Sequence, residues 1–341
     1  MKRNNATFVM AALLCLIFLI GICHVLKLNE PIKKTNFCLD TICTIEIDNM
    51  DKKQGEILIN QAFDRCEELE GLLSKTRKES EIYKINHSHG KTIRVSKDTM
   101  AVLKCALKVS EETGGLFDLT MGRLTNLWDF TGENIIIPKQ EKIDKALETV
   151  GYKQVKIRGN TVRITNPDTW IDLGGIAKGY IARELALFLQ KKGVDSGLIN
   201  LGGDMIAIGG QGIFNGKWPI GIERPFTQRQ EIIGKVSIKN ETLLTSGTYE
   251  RCFEEKGKSY HHILNPKTGY PAATDILSFT VKSTIENGPY CDGYATAGIL
   301  LGSQQAKDFL DDKPEYQFAM IKNNMEIYQS KDFNMKEERG K

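Results

Sequence analysis

The sequence predicts an α+β fold, in which mixed sheets and helices form one unit, with or without two internal lobes. Three observations support this class. Two long segments repeat apolar residues at helical spacing, short β-branched segments alternate with further helical segments, and no linker rich in Pro, Gly or Ser divides the chain. The chain has 341 residues, 41% of them hydrophobic, which is enough for a sizeable core.

An apolar run at the N-terminus lies outside this unit. Residues 6–23 are almost wholly apolar, and Lys2 and Arg3 precede them. Eighteen residues in a helix extend about 27 Å, close to the hydrocarbon thickness of a bilayer. The flanking positive charges favour a cytoplasmic tail at 1–5, a transmembrane signal anchor at 6–25 and an extracytoplasmic remainder. A cleaved signal peptide or a lipoprotein signal is the alternative.

The predicted elements follow one another without a repeat of fixed period. A linker at 26–34 leads to the unit, expected at 35–332, and a polar tail at 333–341 follows it. In the first half we expect a strand at 36–48, helices at 53–74 and 96–113, and a hairpin with strands at 155–157 and 162–164. In the second half we expect helices at 177–192 and 291–301, and strands near 197–208, 217–223, 232–238, 278–282 and 317–321.

The charge balance argues against nucleic-acid binding. The formal net charge is only +3, from 46 basic and 43 acidic residues, whereas a nucleic-acid footprint needs a concentrated basic face. The short basic cluster Lys75, Arg77 and Lys78 is interpreted as a solvated loop. No nucleic-acid partner is therefore expected.

The cysteines show no metal or redox motif. Two of the eight lie in the apolar run, and the other six form neither a CxxC pair nor a Cys/His metal spacing. Cys66 and Cys105 fall on apolar faces of the predicted helices, where they act as small core residues. An exported protein can oxidise its thiols, but this spacing defines no disulfide framework.

The segment Asp172–Tyr180 carries the strongest chemical signal, with the sequence DLGGIAKGY. A strand ends there, two glycines permit a tight turn, and a helix begins, so that backbone groups and the helix N-terminus can approach a phosphate. Lys178 in the first helical turn opposes the helix dipole and therefore needs an anionic partner. A plain strand-to-helix turn is the alternative, because neither the P-loop nor the GxGxxG spacing is present.

Four other clusters contain glycines and polar side chains suited to a ligand. They are GGLFDLTMG at 114–122, LGGD at 201–204, TSGTYER at 245–251 followed by YHHILNPKTGYP at 260–271, and CDGYAT at 291–296. Phe117 and Asp118 are able to stack on and hydrogen-bond a planar ring. Neighbouring histidines in a strand point to opposite faces, so at most one of His261 and His262 faces a site.

The last cluster has the spacing of a hard-cation site. Asp292 and Thr296 are four residues apart, which places both oxygens on one face of a helix. A carboxylate and a hydroxyl suit Mg²⁺, with water or a backbone carbonyl completing the shell. An N-capping aspartate beside an unrelated threonine is the alternative interpretation.

Taken together and in this order, the clusters resemble those of the FAD:protein FMN transferases, the ApbE family, from about Phe37 to Tyr328. The elements that carry the resemblance are GGLFDLTMG, LWDF at 127–130, DLGGIAKGY, INLGGD at 199–204, TSGTYER, HHILNPKTGYP and D-x-x-x-T at 292–296. The resemblance implies metal-dependent cleavage of FAD, release of AMP and transfer of FMN to a Thr or Ser hydroxyl. The acceptor would be a flavoprotein of a membrane redox complex.

The resemblance also assigns site residues. The metal, Mg²⁺ or another divalent cation, would be held by the backbone oxygen of Gly175 and the side chains of Asp292 and Thr296. Contacts to FAD are expected from Leu39, Leu116, Phe117, Asp118, Lys178 and His262. Family members often carry Met-Gly-Thr where this chain has Leu39-Asp40-Thr41.

The general base stays open between several groups. His262 is one candidate, and Asp204 or a metal-bound hydroxide is another. Two other functions also stay open: an FAD pyrophosphatase that yields FMN and AMP, and a flavin-binding protein without catalysis. For the transferase, the sequence predicts a cell-membrane location with the catalytic domain outside the cytoplasm.

Overall fold

The computed structural model of the chain describes Met10, Leu14 and residues 30–130, 137–212, 214–227 and 231–338. The predicted anchor at 6–25 lies outside these residues, apart from Met10 and Leu14. Among the residues that are described, no helix combines the length and apolar character needed to cross a membrane.

Strands and helices alternate irregularly along the described chain. The strands are β1 Ile32–Cys38, β2 Thr41–Ile47, β3 Ile93–Arg94, β4 Val155–Arg158, β5 Thr161–Ile164, β6 Gly197–Leu201, β7 Asp204–Ile208, β8 Trp218–Glu223, β9 Ile232–Ile238, β10 Glu241–Gly247, β11 Cys252–Glu255, β12 Lys258–His261, β13 Ile276–Thr284, β14 Gln317–Lys322, β15 Ile327–Gln329 and β16 Lys336–Glu337. The helices are α1 Lys52–Leu73, α2 Glu81–Asn86, α3 Lys97–Glu112, α4 Gly122–Thr125, α5 Gln140–Leu147, α6 Ala177–Lys191, α7 Gly288–Leu301 and α8 Ser303–Asp311.

An eight-stranded antiparallel sheet forms the centre of the fold, in the order β1-β2-β6-β7-β10-β13-β14-β15. Its inner face packs against the long helices α1, α6 and α7, and the main core lies between them. The three-stranded sheet β16-β9-β8 forms a second core with residues of the central sheet, among them Ala207, Leu243 and Ile321. The α+β class predicted from the sequence is therefore confirmed.

The long helices lie close to their predicted positions, because capping residues in the sequence mark where they begin. Ser96 begins α3 by accepting a hydrogen bond from the Thr99 N–H through its hydroxyl, and Asp51 does the same for Gln54 at the start of α1. Helix α6 ends at Lys191, one residue before the predicted end. Helix α7 begins at Gly288, three residues before the predicted start, because Pro289 can occupy its first turn without needing an N–H partner.

Two predicted strands are wrong, since each is a hairpin. The strand predicted at 36–48 turns at Leu39 and Asp40, which both adopt left-handed conformations with φ of +54° and +56°. The strand predicted at 197–208 turns at Gly202 and Gly203, with φ of +69° and +105°. The two turns are neighbours, because a Cβ on Gly202 would lie 2.5 Å from the Thr41 Oγ1 atom.

The C-terminal segment predicted as a polar tail continues the fold instead. Phe333 and Met335 are buried in the second core, and β16 pairs with β9. Their apolar side chains stand among charged residues, so composition alone suggested a solvated tail.

Candidate functional site

The turn between Asp172 and α6 is held by an ion pair. The Lys75 ammonium donates to Asp172 Oδ2 at 2.7 Å and to Thr125 Oγ1 at 2.7 Å, while the Gly174 N–H donates to Asp172 Oδ1 at 2.9 Å. Burial disfavours the charged carboxylate, but Lys75 and the hydrogen-bond donors outweigh it and hold the pKa of Asp172 below its usual value. The interpretation of Lys75 as a solvated loop residue is wrong.

Removal of this ammonium should destabilise the fold in a pH-dependent way. We expect Lys75→Met to lower the free energy of unfolding by about 2 kcal/mol at pH 7, because Asp172 is left charged and part-buried. Since the folded-state pKa is lowered, the ion pair contributes fully above about pH 3.9 and loses its contribution as the pH falls further. Urea unfolding at pH 7 and pH 3 measures both values.

Lys78→Met is the matched control, because Lys78 is exposed. It should change stability by less than about 0.5 kcal/mol at either pH. A Lys75→Met deficit that is the same at pH 7 and pH 3 would show that the Asp172 charge plays no part in it.

Asp292 lies at a close contact between α6 and α7. A Cβ on Gly179 would lie 2.4 Å from the Gly288 carbonyl oxygen and 2.7 Å from the Asp292 Cβ, so the absence of a side chain permits the contact. The Gly179 N–H donates to Asp292 Oδ2 at 2.8 Å. Asp292 is only 5% exposed. The first turn of α6 thus fixes the carboxylate that the sequence predicts as a metal ligand.

Thr296 lies one turn further along α7 and faces Gly175. A Cβ on Gly175 would lie 3.1 Å from both the Thr296 Oγ1 and the Phe117 Cε2 atoms. Ser246 near the end of β10 shares a hydrogen bond with Thr296, with 3.2 Å between the hydroxyl oxygens. The three predicted metal ligands, Asp292, Thr296 and the Gly175 backbone, are therefore carried by closely packed elements.

Lys178 forms an ion pair with Asp204 at the same place. Asp204, 2% exposed, accepts from the Lys178 ammonium at Oδ2 and from the Thr245 N–H at Oδ1, the latter at 3.2 Å. Burial opposes a charged Lys178, but the nearby carboxylates of Asp204 and Asp292 outweigh it and raise the pKa of Lys178. The predicted need of Lys178 for an anionic partner has this physical basis.

The site carries more negative than positive charge among these buried groups. Burial raises the pKa of Asp292 to about 7, and the negative charge of Asp204 adds to the effect against the opposing influence of Lys178. Because the carboxylates of Asp204 and Asp292 share the single positive charge of Lys178, a further cation at the site is electrostatically favourable. No group of three or more His, Cys, Asp or Glu residues that could hold a metal occurs in the described part of the chain, and the predicted set is of another kind, with one carboxylate, one hydroxyl and one carbonyl.

The loop at 116–118 places the Phe117 ring at the site, and the Asp118 carboxylate stabilises the conformation of the loop. Phe117 is buried, and its N–H donates to the Thr113 hydroxyl at 3.1 Å. Asp118 Oδ1 accepts from the Thr120 N–H at 2.8 Å, and Oδ2 accepts from the Tyr152 N–H at 2.8 Å. Both oxygens of Asp118 are thus engaged within the protein, and Leu116 precedes the ring as a half-buried residue.

Leu39 lies at the same end of the central sheet as Asp204. Five strands of the central sheet begin or end there. Strands β1, β6 and β10 end at Cys38, Leu201 and Gly247, and β2 and β7 start at Thr41 and Asp204. Leu39 is half-buried against the main core. Its turn therefore borders the site, and its contact with FAD stays a prediction.

The two histidines differ in their surroundings. His261 Nε2 lies 3.1 Å from the Ala272 carbonyl oxygen, which engages this ring with the backbone. Burial, followed by the positive charge of Arg251, lowers the pKa of His262 to about 4. His262 Nδ1 is buried and has no hydrogen-bond partner within the described residues. The charges of His261 and Lys178 lower the pKa of His262 as well.

Sequence reasoning missed two residues of the site. Ser246 and Thr245 belong to the TSGTYER cluster, but nothing in their spacing shows that one bonds Thr296 and the other Asp204. Both lie at the end of β10, which the sequence analysis did not predict as a strand. A strand ending in two hydroxyl residues and a glycine was the signal that could have singled them out.

The comparisons with known proteins agree on one family. The family model described as "ApbE family" matches residues 39–320. A FAD:protein FMN transferase of Klebsiella pneumoniae (strain 342) is 36% identical over 232 residues, which are 67% of this chain and 71% of the relative. One of Treponema pallidum (strain Nichols) is 27% identical over 330 residues, which are 92% and 91% of the two chains.

The solved structures agree with the sequences. The crystal structure of an ApbE protein from Thermotoga maritima has a TM-score of 0.79 and 30% identity, and the match covers 89% of this chain and 98% of that one. The flavin transferase ApbE of Vibrio cholerae has a TM-score of 0.79 and 26% identity, with the same coverage.

The fold is a central antiparallel sheet with a charged site between two packed helices. It defines an α+β protein of the same class as these solved ApbE structures. The sequence match extends over most of the central sheet and all the site residues named above. The chain belongs to the ApbE family.

Proposed function

We propose that the chain is a FAD:protein FMN transferase, which cleaves the diphosphate of FAD, attaches FMN to a Thr or Ser hydroxyl of a partner flavoprotein and releases AMP. The observation that carries this proposal is the convergence of five separated clusters on one site. Lys178, Asp204 and Ser246 come from three of these clusters. Asp292 and Thr296 come from a fourth, and Phe117, beside Gly175, comes from the fifth. Homologues bear the same activity in their names.

The diphosphate is proposed to bind at the first turn of α6. Backbone N–H groups of a helix N-terminus and the charge of Lys178 both favour phosphate oxygens. The approach of Phe117 to Gly175 provides an apolar ring beside this point, suited to the flavin half of FAD. Asp118 supports the ring indirectly, because its oxygens hold the loop to Thr120 and Tyr152.

The residues fit a divalent cation, for which Mg²⁺ is our proposal. Asp292, Thr296 and the backbone oxygen of Gly175 would hold it, and these are oxygen donors of the hard kind that Mg²⁺ prefers. Such a cation neutralises charge on the phosphate oxygens when bound. In the protein itself, the Gly179 N–H orients Asp292, and Ser246 orients the Thr296 hydroxyl.

His262 is the group we propose to accept the proton of the attacking hydroxyl. A neutral imidazole can take a proton, and its lowered pKa keeps His262 neutral at physiological pH. Asp204 is less suited, because both of its oxygens already accept hydrogen bonds from Lys178 and Thr245. The hydroxyl oxygen then attacks the FMN phosphorus in line, and the bond to the AMP oxygen breaks.

This role of His262 predicts a particular pH profile. Since the pKa of His262 is lowered to about 4, the ring stays unprotonated above pH 5. A change in rate between pH 5 and 8 is therefore expected from Asp292, whose pKa is raised to about 7, and not from an ordinary histidine near pH 6.5. His262→Gln should lower kcat by on the order of 10² or more, a larger loss than its loss of FAD affinity, because glutamine keeps a polar group beside FAD but cannot accept the proton. Initial rates between pH 5 and 8 and calorimetric FAD titration measure these quantities.

His261→Gln is the matched control, since His261 contacts the Ala272 backbone. It should leave kcat within about threefold of the native value. Equal losses in the two variants would assign both rings to the structure of the strand end rather than to proton transfer.

One incubation separates the transferase from its two alternatives. The chain is mixed with FAD, Mg²⁺ and a flavoprotein acceptor, and the acceptor is weighed by intact mass spectrometry. We expect the acceptor to gain FMN less one water. Free FMN and AMP without that gain would mean a pyrophosphatase, and unchanged FAD would mean a flavin-binding protein.

We further propose that the chain is anchored in the cell membrane with its catalytic domain outside the cytoplasm, near acceptors in membrane redox complexes. The support is the apolar run at residues 6–23 after Lys2 and Arg3. Protease added to cells stripped of outer barriers should digest the domain and spare a cytoplasmic marker. Protection of the domain together with the marker would reverse the proposed orientation.

A further inference from the structure

Three buried cysteines form a cluster beside the β1–β2 turn, apart from the groups used above. Cys38 ends β1, Cys43 lies in β2 and Cys66 lies in the middle of α1. The Sγ atoms of Cys38 and Cys66 are 3.7 Å apart. Two sulfur atoms in such contact need only small side-chain rotations to reach the bonding distance of about 2.05 Å.

We propose that Cys38 and Cys66 form a disulfide bond that fastens the edge hairpin to α1. The Cys43 thiol is the less suitable partner, because its one hydrogen is shared between the Cys38 sulfur and backbone oxygens. Its Sγ lies 3.4 Å from the Cys38 carbonyl oxygen and 4.0 Å from that of Thr41. A bond between Cys38 and Cys43 would also join two strands already held by their ladder. The pair Cys38 and Cys66 joins a strand to a helix 28 positions away.

The oxidant is a small-molecule or protein disulfide. The Cys38 thiolate attacks one of its sulfurs, forming a mixed disulfide and releasing a first thiol. Cys66 then loses its proton, attacks the Cys38 sulfur and releases the second thiol. The protein loses two electrons and two protons, and the oxidant gains them as two thiols.

The surroundings favour Cys38 as the first nucleophile. Hydrogen bonds from the Cys43 and Cys66 thiols lower the pKa of Cys38 to about 4, against the effect of burial. Cys38 is also the most exposed of the three at 8%, on the edge strand of the sheet. The hydrogen bond to the Cys38 thiolate is the main cause that raises the pKa of Cys66, and this cause disappears once Cys38 enters a mixed disulfide.

The bond would act on the turn that borders the site. The Leu39 N–H already donates to Glu70 Oε2 at 3.2 Å, one turn along α1 from Cys66. A disulfide at the preceding residue would fasten the same contact covalently. This inference does not depend on the proposed activity, although an extracytoplasmic location would keep the bond oxidised.

The test uses the full-length chain, purified reduced and then equilibrated with glutathione disulfide. After blocking of free thiols and proteolysis, we expect one cross-linked peptide pair, joining the peptides of Cys38 and Cys66. The oxidised chain should also melt higher than the reduced chain by on the order of 5 °C, because a closed loop of about 28 residues restricts the unfolded state.

Variants separate this bond from other oxidation. Cys66→Ala should abolish both the cross-link and the melting shift, whereas Cys252→Ala, at a half-exposed thiol elsewhere, should abolish neither. The melting comparison on the native sequence stands even where Cys66→Ala folds poorly. A Cys38–Cys43 link, stable glutathione adducts on Cys38, or free Cys38 and Cys66 at saturating oxidant would each overturn the proposal.

Discussion

Asp292→Asn is expected to lower kcat/KM for FMN transfer by on the order of 10³ or more. The change keeps the size of the side chain and an oxygen for the Gly179 N–H, and it removes the single charged donor among the three proposed metal ligands. Charge neutralisation by a metal at a phosphoryl centre contributes several kcal/mol to the transition state, and about 4 kcal/mol corresponds to 10³ in rate. Steady-state kinetics over a range of Mg²⁺ concentrations measures the loss.

Asp98→Asn is the matched control for this change. Asp98 is equally buried, and it pairs with Arg65 at 2.9 Å and accepts from the Tyr180 hydroxyl at 3.1 Å. The control should lose stability and keep a kcat/KM close to the native one. A fully active Asp292→Asn variant with unchanged Mg²⁺ dependence would reduce Asp292 to a structural partner of α6.

Gly179→Ala is expected to lower the free energy of unfolding by about 3 kcal/mol. The new Cβ would lie 2.4 Å from the Gly288 carbonyl oxygen and 2.7 Å from the Asp292 Cβ, both on the neighbouring helix. Neither atom is at the end of a flexible side chain, so α6 and α7 must separate. Because Asp292 moves with α7, transfer activity should fall as well. Thermal and urea unfolding measure the stability change.

Gly71→Ala is the control within a helix, because a Cβ there would meet nothing within 4 Å. It should stabilise the protein by about 0.5–1 kcal/mol, the usual preference of a helix for alanine. Equal and small effects of the two substitutions would mean that the close approach of α6 and α7 is not needed for the fold.

The sequence predicts the long helices well and the hairpins poorly. Helices α1 and α3 have regular apolar spacing and an Asp or Ser cap, which are local signals. The turn at Leu39-Asp40 contains no glycine, although both residues adopt left-handed conformations, so the two strands appear as one in the sequence. Gly202 and Gly203 did give a turn signal, and their strand should have been divided.

Within the site, short-range relations were predictable and long-range ones were not. The spacing of Asp292 and Thr296 places both on one helical face, and the first-turn position of Lys178 indicates its need for an anion. Its partner Asp204, however, is 26 positions away and identifiable only in the folded chain. Lys75 looked like a solvated lysine because its partner Asp172 is 97 positions distant.

The most direct test of the central proposal is the stoichiometry of AMP release and acceptor modification. Purified chain is incubated with FAD, Mg²⁺ and an acceptor flavoprotein, AMP is quantified by chromatography, and FMN on the acceptor is quantified by intact mass. The proposed transferase releases one AMP for each FMN attached, and replacement of the acceptor threonine by valine abolishes attachment. AMP release that continues without any gain in acceptor mass would contradict the transferase and identify water as the true acceptor.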